Sequence, residues 1–233
     1  PEGAKIVIAG GKTSGIASLR KRISQVVPIE GSMAKNHATT FWCSNHADLR
    51  RASPGMKVSS PQHYQTAPGM FSAEKVDIGS ELLARYIDKS VQGAVADFGA
   101  GWGFLSHKVI VQGAPNSLDL YEAHWPSLQA AKANLNAPAQ LPVQYHWTDI
   151  TREAIKQRFD WIVMNPPFHA GRRSEPGLGQ QFIERAARSL KAHGRLLMVA
   201  NTGLPYEKTL AANFARVEKL DQSGGFKVLL GKK

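Results

Sequence analysis

The segment 165–169 carries the side chains whose chemistry is most restrictive in this chain. It reads Asn165-Pro-Pro-Phe-His169 and follows the apolar run Phe159–Met164, which predicts a buried strand. The two prolines lack backbone N–H donors, and a residue that precedes proline is held extended. The strand end therefore offers an amide side chain and backbone carbonyls beside an aromatic ring. Such a site suits a planar amine, either the exocyclic amino group of a nucleobase or a side-chain amide.

A glycine-rich turn upstream predicts a cofactor site. The sequence Asp97-Phe-Gly-Ala-Gly-Trp-Gly103 follows the run Gly93–Ala96, which predicts a strand, and it opens a predicted helix at 104–111. Glycines in a strand-to-helix turn let a cofactor approach the backbone closely. Because dinucleotide-binding folds use a similar turn, this motif alone does not identify the cofactor.

Acidic residues follow the next two predicted strands. Ser117–Tyr121 ends in Glu122, about twenty residues after the glycines, where an acid commonly accepts hydrogen bonds from ribose hydroxyls. Val143–Trp147 is followed by Thr148 and Asp149. Four successive strand ends thus carry Asp97 with the glycines, then Glu122, then Asp149, and finally the Asn-Pro-Pro motif.

This order of motifs resembles the class I S-adenosylmethionine-dependent methyltransferases. Asn-Pro-Pro with an aromatic residue is shared by adenine-N6, glutamine-N5 and guanine-N2 methyltransferases, and the extension to His169 is similar to the guanine-N2 ribosomal RNA enzymes. The resemblance covers about residues 58–233 and points to the small-subunit ribosomal RNA methyltransferase C group, although the large-subunit enzymes share the same string. Further segments similar to that group are Pro68–Ser72, Asp77–Leu83, Val199–Asn201, Leu204–Tyr206 and Gly225–Val228.

The resemblance implies an α/β fold with two parts. Residues 58–233 should form a Rossmann-like class I methyltransferase domain, the catalytic one, with a mostly parallel seven-stranded sheet that ends in an antiparallel hairpin. The turn Ser223-Gly-Gly225 is an independent signal for that hairpin. Residues 1–57 should be the C-terminal remnant of a degenerate N-terminal methyltransferase-like domain plus a linker, hence a partial second α/β domain.

The N-terminal region has a weaker pattern than the rest. Lys5–Ala9 predicts a strand and 16–27 a basic helix, with no partner strand before them. A lone strand cannot bury both of its faces. The resemblance implies that about a hundred residues precede this sequence in the full protein, as in the related enzymes. Residues 31–68 are expected to be a linker with a short strand or two.

The resemblance also assigns residues to S-adenosylmethionine, whose product is S-adenosylhomocysteine. The glycine turn should hold the methionine part, and Asp97 should either orient that turn or hold the ammonium group of the cofactor, directly or through water. Glu122 should accept from the ribose hydroxyls, and Asp149 from the adenine amino group. A segment at 71–80 should form a lid or wall on the cofactor, although Ser80 alternatively caps the next helix. The expected cofactor-binding residues are Asp97, Gly99, Ala100, Gly101, Gly103, Glu122, Ala123, Asp149, Ile150, Asn165, Phe71, Ser72, Asp77 and Ser80.

The acceptor amine is expected to meet the Asn-Pro-Pro motif. Asn165 should accept one N–H of guanine N2 through its side-chain oxygen and the Pro166 carbonyl the other, which aims the nitrogen lone pair at the methyl group. Phe168 should stack on the extruded base. No metal and no obligatory general base is required. Further substrate contacts are expected from Pro167, His169, Arg172 and Arg173, the two arginines on RNA phosphates.

The composition agrees with an RNA partner. The chain has 233 residues and a formal net charge of +11, which favours an acidic partner. The single cysteine excludes an intramolecular disulfide, and without a cysteine cluster we expect no zinc site. No apolar run has the length of a membrane span, and no signal-peptide pattern is visible. We expect a cytoplasmic, monomeric enzyme that acts on ribosomal RNA or a ribosomal subunit, with no membrane or metal partner.

Two other classes of function stay open. A methyltransferase for large-subunit RNA guanine, adenine N6 or a protein glutamine would share the fold and the cofactor. The Phe-His extension and the positive charge favour guanine in RNA over these acceptors. An inactive RNA-binding module should first lose the glycine turn or the Asn-Pro-Pro motif, and both are intact.

Overall fold

The computed structural model describes residues 1–52, 57–59, 64–167, 169–170, 173–174 and 176–233. The chain divides into two compact units, Pro1–Gly55 and Met56–Lys233. Within the described part of the chain, no helix is both long enough and apolar enough to cross a membrane.

The first unit is a three-stranded antiparallel sheet with a helix packed against it. The strand order is β1-β3-β2, and Ile16 and Ile23 from the helix α1 share a buried cluster with Phe41 and Cys43 from β3. The elements are β1 (Lys5–Gly11), α1 (Ile16–Ser24), β2 (Gly31–Lys35), β3 (Ala38–Ser44) and α2 (Leu49–Ala52).

The expectation that the first strand lacks a partner is wrong. β3 pairs with β1 along its whole length, from Ser44 opposite Lys5 to Ala38 opposite Gly11. β2 and β3 form a hairpin whose turn residues, Asn36 and His37, have φ of +50° and +59°. This is the backbone of a type I′ turn, which matches the twist of the two strands. Residues 31–44 are therefore a regular hairpin and not a linker.

The second unit is built on a seven-stranded sheet with strand order β13-β14-β12-β9-β6-β7-β8. All neighbours in it are parallel except β14, which runs antiparallel to β12 and β13. The predicted mostly parallel sheet with a terminal antiparallel hairpin is confirmed. Its elements, with two small two-stranded sheets, are β4 (Lys57–Ser59), β5 (Tyr64–Thr66), α3 (Ile78–Ala84), β6 (Gln92–Phe98), α4 (Phe104–Gln112), β7 (Ala114–Glu122), α5 (Trp125–Asn134), β8 (Val143–Trp147), β9 (Phe159–Met164), β10 (His169–Ala170), β11 (Arg173–Ser174), α6 (Pro176–Ser189), β12 (Leu190–Asn201), α7 (Tyr206–Asn213), β13 (Arg216–Ser223) and β14 (Phe226–Lys232).

The central strands bury both faces of the sheet. Along β9, Ile162 and Met164 belong to one apolar cluster and Val163 to the other, as the alternation of side chains across a strand requires. Along β12, the neighbouring residues Leu196 and Leu197 likewise belong to different clusters, one on each face of the sheet. A sheet covered on both faces leaves its strand ends as the accessible edge, where ligands of open parallel sheets bind.

Candidate functional site

A cavity of about 1100 Å³ lies at the carboxyl edge of the parallel strands. Residues that end or follow four strands form its wall: Gly101 after β6, Glu122 at the end of β7, Asp149 after β8, and Asn165 after β9. A smaller cavity of about 50 Å³ shares Gly101 and Asn165 with it, and also Phe71. The structure thus brings together the motifs that the sequence placed at strand ends.

The turn after β6 is built on glycines whose backbone other residues rarely adopt. Gly99, Gly101 and Gly103 have φ of +73°, +56° and +92°. A Cβ on Gly103 would lie 3.2 Å from the Ala131 side chain, so the turn packs closely on α5. A Cβ on Gly101 would meet no atom within 4 Å. Since Gly101 lines both cavities, its bare backbone leaves room for a ligand to lie directly against the chain.

Glu122 connects this turn to β7. Its Oε2 accepts a hydrogen bond from the Gly101 backbone N–H at 2.8 Å, and its Oε1 accepts one from the His124 backbone N–H at 2.7 Å. Each carboxylate oxygen has a second lone pair available. Glu122 can therefore accept hydrogen bonds from hydroxyl groups of a ligand in the large cavity while it also holds the glycine turn.

Asp97 is fully buried and lies within β6, which extends two residues beyond the predicted strand end at Ala96. Its Oδ2 accepts from the Ser106 hydroxyl at 2.7 Å, whereas its buried Oδ1 has no partner among the described residues. Burial raises the pKa of Asp97 to about 7 against the opposing Ser106 hydrogen bonds, and the charge of Glu122 adds to the rise. Asp97 is not among the described residues that line either cavity. Its position suits a residue that orders the glycine turn through α4.

The loop after β8 forms another part of the wall. Asp149 Oδ1 accepts from the Thr151 backbone N–H at 3.0 Å and from its hydroxyl at 2.6 Å. Asp149 Oδ2 lies 3.5 Å from the Arg152 Nε. The predicted cofactor-binding residues Ala123, Asp149 and Ile150 all line the large cavity, and Ile150 is buried.

The Asn165 side chain is oriented by two residues of the segment before β6. Its Nδ2 donates to Asp77 Oδ2 at 2.9 Å and to Ser80 Oγ at 2.8 Å. No donor to its Oδ1 is found in the part of the chain that the structure describes. Pro166 is buried and Pro167 exposed, and both line the large cavity beside Asn165. An amide oxygen and a prolyl carbonyl, both hydrogen-bond acceptors, thus belong to residues that line this corner of the cavity.

The segment expected to form a lid borders the smaller cavity. Phe71 is 56% exposed and lines both cavities, while its carbonyl accepts from the Trp102 indole N–H at 2.9 Å. Ser72 lines the smaller cavity and has φ of +49°. Asp77, rather than Ser80, caps α3, since its side chain accepts from the Ser80 backbone N–H. The alternative that Ser80 is the cap was therefore wrong.

Some of the residues predicted to contact the substrate lie outside the described residues. This applies to Phe168 and Arg172. The structure describes only the backbone at His169 and Arg173, in the paired two-residue strands β10 and β11. The roles proposed for these four residues stay predictions.

Several cavity residues were not anticipated from the sequence. The first turns of α6 contribute Leu178, Gln181 and Phe182, and a Cβ on Gly99 would lie 3.2 Å from the Phe182 ring. Arg152 and His124 also border the cavity. The helix that follows the Asn-Pro-Pro loop starts at the same edge of the sheet as that loop. This chain order was the sequence signal from which the α6 residues could have been predicted to line the cavity.

Comparisons with known proteins identify relatives over the whole chain. The family model for the methyltransferase small domain matches residues 62–230. The ribosomal RNA small subunit methyltransferase C of Sodalis glossinidius (strain morsitans) is 35% identical over 98% of this chain and 65% of that protein. The protein of the same name from Salmonella newport (strain SL254) is 31% identical over 98% of this chain and 67% of its own length. The chain thus spans about two thirds of these relatives.

A solved structure agrees with the sequence relatives. The T. thermophilus 16S rRNA N2 G1207 methyltransferase, in complex with AdoMet and guanosine, matches 100% of this chain and 65% of its own with a TM-score of 0.75 and 26% identity. A methyltransferase from Pyrococcus furiosus, 15% identical with a TM-score of 0.54, shares the fold.

Proposed function

The chain belongs to the methyltransferase small domain family, and from this premise we propose that it methylates the exocyclic N2 of a guanine in small-subunit ribosomal RNA, with S-adenosylmethionine as methyl donor. The resemblance drawn from the motifs, to class I methyltransferases of the C group, is confirmed. The named activity and bound ligands of the relatives, together with the site, support the choice of RNA and guanine.

The Asn165 amide is the observation that carries the proposal. It stands in the wall shared by both cavities, with its nitrogen engaged by Asp77 and Ser80. An amino group entering there meets the Asn165 oxygen and the Pro166 carbonyl, both acceptors. Because Pro167 has no N–H, no backbone donor at that position competes for the incoming group. An amine with two hydrogens to donate is the acceptor substrate that this arrangement suits.

The cavity beside Asn165 fits S-adenosylmethionine. The open side of Gly101 gives room for the methionine chain along the backbone. The free lone pairs of Glu122 suit the ribose hydroxyls, and Asp149 on the next strand end suits the adenine amino group. A volume of about 1100 Å³ also leaves space for a base next to the cofactor.

The cofactor, when bound, supplies the methyl group: the N2 lone pair bonds to the methyl carbon, the C–S electron pair stays on sulfur, and N2 then loses a proton to water. The guanine amino lone pair is delocalised into the ring and is a poor nucleophile. Asn165 and Pro166 hold both amino hydrogens, which favours a pyramidal nitrogen and aims its lone pair. Their oxygens also stand where positive charge develops on nitrogen, which stabilises the transition state.

RNA binding is proposed from charge and from the loop after Asn165. The net charge of +11 favours a polyanion. Phe168 would stack on the extruded base and Arg172 and Arg173 would contact phosphates. His169 would contact the base or phosphate, or order the loop.

Nucleoside mass spectrometry tests this proposal. Ribosomal RNA from a strain that lacks the protein is treated with the full protein and isotopically labelled S-adenosylmethionine, and then digested. We expect label in N2-methylguanosine. Label in N6-methyladenosine, or in a protein glutamine when ribosomal or release-factor proteins are offered, would overturn the guanine assignment. Separate digestion of the small- and large-subunit RNA decides between the subunits.

A further inference from the structure

The hydrogen bonds of Asn165 define which way its amide faces. An ionised carboxylate can only accept hydrogen bonds, so the atom that faces Asp77 must be the amide nitrogen. Asp77 Oδ2 and Ser80 Oγ lie 2.9 Å and 2.8 Å from Asn165 Nδ2, and they engage both of its hydrogens. In the flipped orientation the Asn165 oxygen would face the carboxylate, and the amide nitrogen would face the cavity.

The two partners are themselves held in place. Asp77 Oδ2 also accepts from the Ser80 backbone N–H at 2.8 Å, as the N-cap of α3. A Cβ on Gly79 would lie 2.7 Å from the Phe226 ring and 3.0 Å from Asp77 Oδ2, so Gly79 permits α3 to approach β14. Ser80 is 8% exposed, and α3 also buries Leu82 and Leu83 in the core.

We infer that Asp77 and Ser80 are positioning residues: they fix the Asn165 amide with its oxygen toward the acceptor amine, and so convert a side chain that can donate or accept into a dedicated acceptor. The inference rests on the proposed function, because it explains how Asn165 acts in it. A flipped amide would set an N–H against an N–H of the substrate amine and would lose the alignment of its lone pair. In this role Asp77 acts on the acceptor amine through Asn165.

A reversal of donor and acceptor tests this role. Asn165→Asp alone sets two carboxylates against each other, and Asp77→Asn alone allows either orientation of the pair. The double variant Asp77→Asn/Asn165→Asp restores one donor facing one acceptor, and the second carboxylate oxygen at position 165 remains free to accept. The Ser80 hydroxyl can rotate to donate to that carboxylate. Asn is as good an N-cap as Asp, so α3 should stay intact in these variants.

The measurement is the single-turnover rate of methyl transfer by the full protein to the RNA that the wild type methylates. For Asp77→Asn we expect a rate about tenfold lower, and for Asn165→Asp one about a hundredfold or more lower. The double variant should be at least about tenfold faster than Asn165→Asp, which is a coupling that independent residues do not show. Melting temperature should stay near wild type, and the rates are compared at saturating S-adenosylmethionine so that a change in cofactor affinity does not enter them. Asp88→Asn is the matched control, since Asp88 also accepts a backbone N–H, that of Ser90, away from both cavities.

Additive losses in the double variant, or an Asp77→Asn rate equal to that of Asp88→Asn, would overturn the inference. A second readout does not need activity. The side-chain amide protons of Asn165, assigned in ¹H–¹⁵N spectra by their loss in Asn165→Asp, should both be protected from exchange in the wild type and lose protection in Asp77→Asn. If the wild type labels no guanine, the proposed function fails, and the amide protons alone decide whether Asp77 and Ser80 fix Asn165. Unprotected amide protons in the wild type would overturn the inference in that case too.

Discussion

At the scale of single residues, the cavity wall uses side chains that divide their hydrogen bonds between the protein and a ligand. Glu122 accepts one backbone N–H on each oxygen and keeps the remaining lone pairs. Asn165 donates both hydrogens to the protein and keeps its oxygen. Such groups are pre-oriented before a ligand arrives, so less conformational entropy is lost on binding.

Gly101 provides a test of the cofactor position. Gly101→Ala should weaken S-adenosylmethionine binding by about tenfold or more, since the methyl group would enter the space next to the bare backbone at φ +56°. Titration calorimetry measures the affinity.

Gly224→Ala is the control for backbone strain. Gly224 has φ of +58° in the turn before β14 and its added Cβ would lie 3.6 Å from Ile78, in ordinary contact. Both variants should lose about 1–2 kcal/mol of stability, but only Gly101→Ala should lose cofactor affinity. Equal cofactor affinities would place the methionine part elsewhere.

Asp97 predicts a pH dependence of stability. The pKa of Asp97 is raised to about 7 in the fold, against about 3.9 in the unfolded chain. At pH values between these two pKa values the native state binds more protons than the unfolded state, so the free energy of unfolding falls as pH rises through this range. Asp97→Asn removes this titration. Between pH 5 and 8 the stability of the variant relative to wild type should increase by about 2–3 kcal/mol. Chemical denaturation at several pH values measures it, and a constant difference would contradict the raised pKa.

At the scale of elements, one buried lysine connects two segments that resemble the related enzymes, Leu204–Tyr206 and Gly225–Val228. Lys227 on β14 is 4% exposed and donates to the Leu204 carbonyl at 2.7 Å and to Glu207 Oε1 at 2.6 Å. It thereby fixes the loop between β12 and α7.

Lys227→Met should lower the free energy of unfolding by about 1–3 kcal/mol, because the Leu204 carbonyl and the Glu207 carboxylate each lose the hydrogen bond from the buried ammonium group. Lys232→Met is the control on the same strand: Lys232 pairs with Glu218 at 3.0 Å at a more exposed position, and its loss should cost about 0.5 kcal/mol or less. Thermal unfolding of both variants measures this. Equal costs would mean that the Lys227 contacts do not hold the loop.

The sequence predicted the elements with a strong apolar pattern. The bounds of β8 and β9 agree with the prediction, because each is a short apolar or alternating run with polar residues or prolines beyond it. α6 begins at Pro176, whose fixed φ suits the first turn of a helix. The hairpin of β2 and β3 was predicted only as a linker with a short strand or two, because its turn, Asn36-His37, lacks the glycine by which such turns are usually recognised.

The long-range contacts of the site could not be predicted from spacing. Asn165 and Asp77 are 88 positions apart, and their contact depends on how α3 packs on the sheet. The strand ends, in contrast, were predictable, because parallel strands point their carboxyl ends to one edge. For this reason the predicted placement of Gly101, Glu122, Asp149 and Asn165 around one cavity agrees with the structure.

At the scale of the whole molecule, the first unit repeats the topology of the end of the second. In both, a strand, a helix and two further strands form a sheet whose last strand is central and antiparallel to the others: β1-β3-β2 and β12-β14-β13. This repetition supports the proposal that residues 1–57 derive from a second methyltransferase-like domain.

The net charge of +11 predicts that RNA affinity depends strongly on salt. The logarithm of the association constant should fall linearly with the logarithm of salt concentration, with a slope of about −2 or steeper. Fluorescence anisotropy with labelled ribosomal RNA fragments measures it. A slope near zero would mean that phosphate contacts contribute little and would argue against a polyanionic substrate.

The central claim is that the Asn165 oxygen and the Pro166 carbonyl hold the amine that receives the methyl group. The measurement that tests it most directly is the single-turnover rate of Asn165→Ala on the ribosomal RNA that the wild type labels. We predict a rate about a hundredfold or more below wild type, with S-adenosylmethionine affinity within about threefold, since the loss is one of alignment and not of cofactor binding. A near-normal rate, or a loss explained entirely by weaker cofactor binding, would contradict the claim.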